Sequence, residues 1–257
     1  MNATISHLLQ HAGLAQATDV VLSGCRRALA FFFPSWTSVQ TCILASSPAR
    51  RVETRGKYLP PRVRPCPLRS AGGLAAVLHA DRWRAALTPS AHLAALVDSG
   101  FFLDHSASAA DAAVPAAADG GGYGGLLRWV HREMRGQADA SCEAAEQASG
   151  RDPAGCMFAQ VALPHVRVPT FLLQPMYDSW QILHVLGARP DDAAAIAAWG
   201  ERQAAAVEAA LAAGGEASQQ HGAFVEPCYH HCGGWRQIFI DGTDQASAFG
   251  APRGLLS

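Results

Sequence analysis

Ser70-Ala-Gly-Gly, followed at once by the apolar run Leu74 to Leu78, constrains this chain more than any other stretch. A serine on a tight turn between a strand and a helix, flanked by small residues, is the geometry that lets a hydroxyl and nearby backbone N–H groups reach a carbonyl. Ala71, Gly72 and Gly73 satisfy the helix side. On the strand side stands Pro65-Cys-Pro-Leu-Arg69, and two prolines make a poor central strand. A suitable strand lies upstream, at Asp19-Val-Val-Leu-Ser-Gly-Cys25, behind a helix expected from Ile5 to about Gln16. Joining Cys25 directly to Ser70 gives strand, turn and helix in unbroken succession. Gly24-Cys25-Ser70-Ala71-Gly72 then fits G-x-S-x-G, whereas the chain as written has Leu68 at the first glycine position.

Residues 26–69 differ in character from the rest. They hold Arg26, Arg27, Arg50, Arg51, Arg55, Lys57, Arg62, Arg64 and Arg69 against the single acid Glu53, with prolines throughout and no sustained period of 2 or 3.6. Two readings follow: a basic loop that steers an acidic polymer, or an unspliced or disordered insertion of no function. The second is favoured, because a useful loop is seldom placed inside a strained turn.

The remaining chemistry comes in chain order. Asp178 follows the expected strand Pro169–Gln174 by a few residues, where an open α/β sheet places its functional groups. Asp178 could equally start the next helix as an N-cap, and the two roles are compatible. His230 and His231 sit between Cys228 and Cys232. Cys228, His231 and Cys232 also allow a zinc reading, which wants a fourth ligand that no second Cys/His cluster supplies.

The joined string Leu-Ser-Gly-Cys-Ser-Ala-Gly-Gly, then Val97-Asp-Ser-Gly-Phe-Phe-Leu-Asp104, Tyr177-Asp-Ser-Trp-Gln-Ile182 and Cys228-Tyr-His-His-Cys232, resemble the successive motifs of the pectin acetylesterase family, which includes the Notum carboxylesterases. The similarity runs from about Ile5 to Phe249 and is interrupted from Arg26 to Arg69. It implies an α/β-hydrolase-like fold, a mostly parallel sheet flanked by helices, and an ester hydrolase that releases acetate from acetylated pectin. It also implies a triad of Ser70 as nucleophile, His231 as base and Asp178 as orienting acid, with the Ala71 N–H as an oxyanion donor and His230 as the reserve histidine. The family's further oxyanion donors resemble a Gly-Gly-Trp-Cys loop on an earlier strand. Gly120-Gly-Gly-Tyr-Gly-Gly125 stands in the wrong place for that role and reads as a linker. The chain is therefore expected to be one α/β domain, residues 1–257, incomplete at its N-terminus. An inactive relative and a Notum-like lipid-ester carboxylesterase remain the alternative functions.

Composition bounds the partners. A formal net charge of −1 argues against nucleic acid, and neither a cofactor nor a metal is implied. No apolar stretch approaches the roughly 20 residues of a bilayer span, and Met1 to Ala15 lacks the pattern of a secretory signal. Seven cysteines nevertheless suit a secreted, disulfide-stapled protein, and the family resemblance implies action at the cell wall. Of the remaining elements, a helix is expected from Ser70 toward Leu87, a strand at Leu93–Val97 and a flexible loop at Ala107–Gly125. Helices are expected at Leu126–Met134, through the Cys142–Cys156 segment and at Asp191–Ala213, with a closing helix over Gly242–Phe249.

Overall fold

The computed structural model describes residues 19–24, 42–46, 71–105, 121–189, 191–215, 219–233, 239–240, 243–244 and 255–256. Six strands form one sheet in the order β2-β1-β3-β4-β5-β8: β1 (Asp19–Gly24), β2 (Cys42–Ser46), β3 (His92–Asp98), β4 (Thr170–Pro175), β5 (Gly222–Glu226) and β8 (Leu255–Leu256). Neighbours pair in parallel from β1 across to β8, and only β2 runs antiparallel, on the outer side of β1. A separate two-stranded pair joins β6 (Phe239–Ile240) to β7 (Thr243–Asp244). This is the mostly parallel, helix-flanked sheet expected of an α/β-hydrolase-like fold.

The central strands show why. Every residue of β4, Thr-Phe-Leu-Leu-Gln-Pro, is buried, as is every residue of β5. Parallel strands covered on both faces read as continuous apolar runs rather than alternations. Helix α1 (Ala71–Ala86) packs on β1 and β3, and its buried set, from Gly72 through Leu78 with Ala80 and Trp83, leaves little polar face. Its Asp81 holds the approach to β4, accepting the Arg167 N–H at 3.0 Å and the Val168 N–H at 3.0 Å. Helices α2 (Gly122–Glu133), α3 (Ala140–Ala148), α4 (Ala159–Ala162), α5 (Ser179–Gln181) and α6 (Ala193–Ala213) follow, with 3₁₀ turns at Pro153–Met157 and Leu163–His165 and a π-helical turn at Ile182–Leu186 directly after α5. A disulfide between Cys142 and Cys156 ties α3 to the first of those turns.

One segment given no element of its own holds a strand, and two expectations are corrected. Residues 26–69 contain a strand, β2, whose backbone registers with β1 from Asp19↔Ser46 to Ser23↔Cys42. Cys42-Ile-Leu-Ala-Ser46 is a short apolar run, long enough for an edge strand but too short to register as a period. Gly122–Gly125 form the first turn of α2 rather than a linker, because Gly124 and Gly125 are buried there. A Cβ on Gly124 would stand 2.9 Å from the His105 carbonyl oxygen, so the glycine permits the helix to approach the chain at His105. Within Gly242–Phe249, Thr243–Asp244 is a strand, not helix: it turns back to pair with Phe239–Ile240. The helix expected at Ile5–Gln16 and the loop at 106–120 lie outside the described residues.

Candidate active site

Because β1, β3, β4 and β5 are parallel, their carboxyl ends share one edge of the sheet, where α/β folds gather their chemistry. Gly24 at the end of β1 registers with Val97 of β3, next to Asp98. The N-terminus of α1 meets the same turn. A Cβ on Gly100 would lie 2.4 Å from the Gly73 carbonyl carbon, and one on Gly73 would lie 2.9 Å from the Asp98 oxygen. The two backbones therefore touch with no side chain between them. The end of β1 and the start of α1, far apart in sequence, converge on Asp98-Ser-Gly100. Ser70, which precedes α1, lies outside the described residues. Ala71 is the exposed first residue of that helix, one of the positions whose N–H has no intrahelical acceptor.

Asp178 lies just beyond β4 and is fully buried. Its Oδ1 accepts the N–H groups of Trp180 at 2.9 Å and Gln181 at 3.1 Å, so it caps α5 as the sequence allowed. The same oxygen lies 2.7 Å from Nδ1 of His231. The amides of Gln174 and Gln181 approach Oδ2 at 3.5 and 3.4 Å. Both readings of Asp178 therefore hold in one side chain: the cap fixes the carboxylate, and the fixed carboxylate holds the imidazole. On the far side of that imidazole, Nε2 is buried and has no hydrogen-bond partner among the described residues.

The loop carrying His231 is clamped by the Asp98 turn. Ser99 Oγ accepts the Cys232 N–H at 2.9 Å and donates to Asp98 Oδ1 at 3.2 Å, while Asp98 Oδ2 accepts the Gly233 N–H at 3.1 Å. Ser99 and Cys232 both adopt positive φ, 53° and 57°, which is uncommon for non-glycine residues and is sustained here by those bonds. The extended segment Phe101–Asp104 crosses behind, its polar backbone satisfied by buried glutamines. Gln174 accepts from Phe101 N at 3.1 Å and Gln181 from Leu103 N at 3.2 Å; Gln203 donates to Phe101 O at 2.8 Å. Beside the site stands an aromatic wall. Trp180 lies 6.1 Å from the His231 ring, 5.0 Å from His184, 5.3 Å from Phe102 and 5.6 Å from Tyr123. Burial, and then the charge of Asp178, push the Tyr123 phenol well above its ordinary pKa, so it stays a neutral donor.

His230 is turned to another partner. Its Nε2 bonds to the buried carboxylate of Glu226, so the two adjacent histidines serve different acids. Cys232 is disulfide-bonded and Cys228 is a free thiol, which removes the thiolate set that the zinc reading needed and leaves Cys228 out of the disulfide framework. Of the other histidines, His131 pairs with Glu143 at 2.8 Å and His184 packs on Trp180. Nothing in the sequence alone assigns a role to Asp98-Ser-Gly, to Glu226 or to the three glutamines. The signal available was a polar residue ending an apolar strand, as Gln174 follows Thr-Phe-Leu-Leu and Glu226 follows Ala-Phe-Val.

A family model described as pectinacetylesterase matches residues 69–247. The chain belongs to the pectinacetylesterase family. Among curated relatives, pectin acetylesterase 5 of Arabidopsis thaliana is 31% identical over 177 residues, covering 63% of this chain and 39% of that protein. Pectin acetylesterase 7 of the same plant is 32% identical over 117 residues, covering 46% of this chain and 27% of that one. The chain thus spans well under half the length of these relatives. The solved structure of the Wnt deacylase Notum from Drosophila superposes with a TM-score of 0.53 at 20% identity, covering 70% of this chain and 50% of that one. That likeness establishes the shared fold. Among the described residues, no helix of this family member is long and apolar enough to cross a membrane.

Proposed function

We infer that this chain is a serine carboxylesterase that releases acetate from acetylated pectin outside the cell, using Ser70, His231 and Asp178. The observation that carries this reading is the 2.7 Å contact between His231 Nδ1 and a fully buried Asp178, with Nε2 left unbonded on the side away from the acid. A carboxylate on Nδ1 fixes the tautomer whose Nε2 is a base.

The chemistry is then conventional acyl transfer. Ser70 Oγ adds to the ester carbonyl as His231 Nε2 takes its proton. The Ala71 N–H, at the positive end of α1, donates to the oxyanion. His231 returns the proton to the departing sugar hydroxyl, leaving acetyl on Ser70. Water repeats the sequence, with His231 again as base, and frees acetate. Asp178 stabilises the imidazolium at each stage. Family membership supports the acetyl ester, and the Cys142–Cys156 disulfide supports an oxidising compartment.

The test is covalent labelling with a serine-directed fluorophosphonate. Labelling of Ser70, lost in Ser70→Ala, is expected, together with faster hydrolysis of aryl acetate than of aryl octanoate and release of acetate from pectin. The reverse chain-length preference would move the reading to a lipid-ester enzyme. A second reading, an inactive relative, is favoured by Leu68 at the first glycine position of the elbow. It predicts no labelling of the chain as written, and labelling of a variant in which Cys25 is joined to Ser70.

A further inference from the structure

Strand β5 buries all five of its residues and ends on a carboxylate. A carboxylate out of water needs donors of its own. Glu226 takes them from one loop: Oε2 accepts the Cys228 N–H at 3.0 Å and Oε1 accepts from His230 Nε2. The same loop is tied by its backbone to the other acid, because the His230 carbonyl accepts the N–H of Ser179 at 3.0 Å, one residue past Asp178. His230 thus links β5 to the start of α5. The next residue is His231.

We propose that Glu226 and His230 form a second histidine–carboxylate pair, outside the proton path, that positions His231 against Asp178 and makes the site loosen as pH rises. The proposal rests on the reading of His231 as the catalytic base. Both groups then have distinct work: His231 moves a proton, while His230 keeps one. The surroundings favour that division. Burial works against the charged imidazole, but the hydrogen bond and charge of Glu226, with Asp98 and Asp178 behind, hold His230 above the usual histidine range. The groups facing it are Glu226 from β5, Asp98 from the end of β3, Asp178 from beyond β4, and Cys228 in its own loop. Burial and Glu226 push that thiol up to about 11, so it adds no charge at neutral pH.

The sign of the pH effect follows. With the folded pKa raised, the pair's contribution is fully present below the unfolded histidine value and is lost as pH rises through the folded one. Above it the neutral ring still donates to the ionised carboxylate, but the attraction between opposite charges is gone.

The experiment uses the full chain. It measures the rate of fluorophosphonate labelling and the Tm across pH for wild type, His230→Ala and His230→Gln, with the His230 ring titration followed by NMR in wild type. In wild type, labelling and Tm should both decline on the alkaline side in step with the His230 titration. His230→Ala should label about tenfold more slowly at neutral pH, the size of one lost charge-assisted bond. His230→Gln, whose amide can still donate to Glu226, should recover much of the rate and lose the alkaline decline. A merely space-filling His230 would give no such rescue. Wild-type labelling rates in His230→Ala, or an unchanged alkaline decline in His230→Gln, would overturn the proposal while leaving the esterase reading intact. Should wild type not label at all, the esterase reading falls. The pair is then judged by NMR and melting alone, and a His230 that titrates at the ordinary histidine value, or a Tm that ignores its titration, would overturn it.

Discussion

Gly100→Ala should uncouple α1 from the histidine loop without touching a reactive group. The added Cβ would stand 2.4 Å from the Gly73 carbonyl carbon, 2.5 Å from Leu74 N and 2.6 Å from Gly73 Cα. All three are backbone atoms, so no side chain can swing aside. Ordinary contact begins near 3.4 Å, so the start of α1 or the Asp98 turn must retreat by about 1 Å, an overpacking that costs roughly 1–3 kcal/mol. At the 2–4 °C per kcal/mol expected of a domain this size, Tm should fall by roughly 4–8 °C for the middle of that range. The larger effect should be on function. The turn holds the His231 loop through Ser99 and Asp98, and α1 begins one residue after Ser70, so the same shift separates the proposed nucleophile from the proposed base. A displacement of about 1 Å between reacting groups typically costs on the order of 100-fold in rate. The assay is fluorophosphonate labelling of Ser70 beside thermal melting, with Gly155→Ala as control, since nothing lies within 4 Å of a Cβ there. Labelling and Tm of Gly100→Ala both indistinguishable from the control would refute the close approach and the argument built on it.

Asp178→Asn should keep the α5 cap, since asparagine caps nearly as well, so Tm should change little, while the lost tautomer control lowers the turnover of aryl acetate by on the order of 10⁴. Replacing Cys142 and Cys156 together by alanine releases a constraint between residues 14 apart, and denaturant melts should show a loss of about 3 kcal/mol. Glu146 is held below the usual glutamate range first by its hydrogen bond from Arg151, against the opposing effect of burial, and by that residue's charge. Its contribution is therefore present above the unfolded glutamate value and lost as pH falls through the folded one, so Glu146→Gln should lower Tm slightly at neutral pH and flatten the acid limb of a Tm-against-pH curve, the two curves converging at low pH.

How much of this was legible depended on whether a residue's partner lies near it in sequence. Pro169–Gln174 and Asp191–Ala213 were readable as strand and helix because a continuous apolar run and a long run of helix formers declare themselves locally. The pairing of Asp178 with His231 was readable because the motifs around each are contiguous. The strand at Cys42–Ser46 was hidden by the arginines and prolines on either side of it, and the helical start at Gly122 by glycines that in isolation disfavour a helix and here permit close packing. Least legible were the groups whose meaning is set across the sheet. Glu226 before Pro227 reads as a surface acid, and only the burial of all of β5 turns it into an anchor for His230.

The same geometry reconciles the interrupted elbow with an ordered site. In an unbroken elbow the covalent chain itself brings strand and helix together. Here the described contacts do so through the third partner, the Asp98-Ser-Gly100 turn: β1 reaches it by register with β3, α1 reaches it through Gly73, and the His231 loop reaches it through Ser99 and Asp98. Those contacts hold whatever path residues 26–69 take between β1 and α1, apart from the five of them that pair with β1. If they suffice, the chain as written and the variant joining Cys25 to Ser70 should label at rates within about tenfold, because both use the same noncovalent convergence. If the covalent turn is what strains the serine into attack, the joined variant alone should react. The ratio of the two rates therefore measures how much of the nucleophile's geometry comes from the turn that carries it and how much from the strand end it rests on.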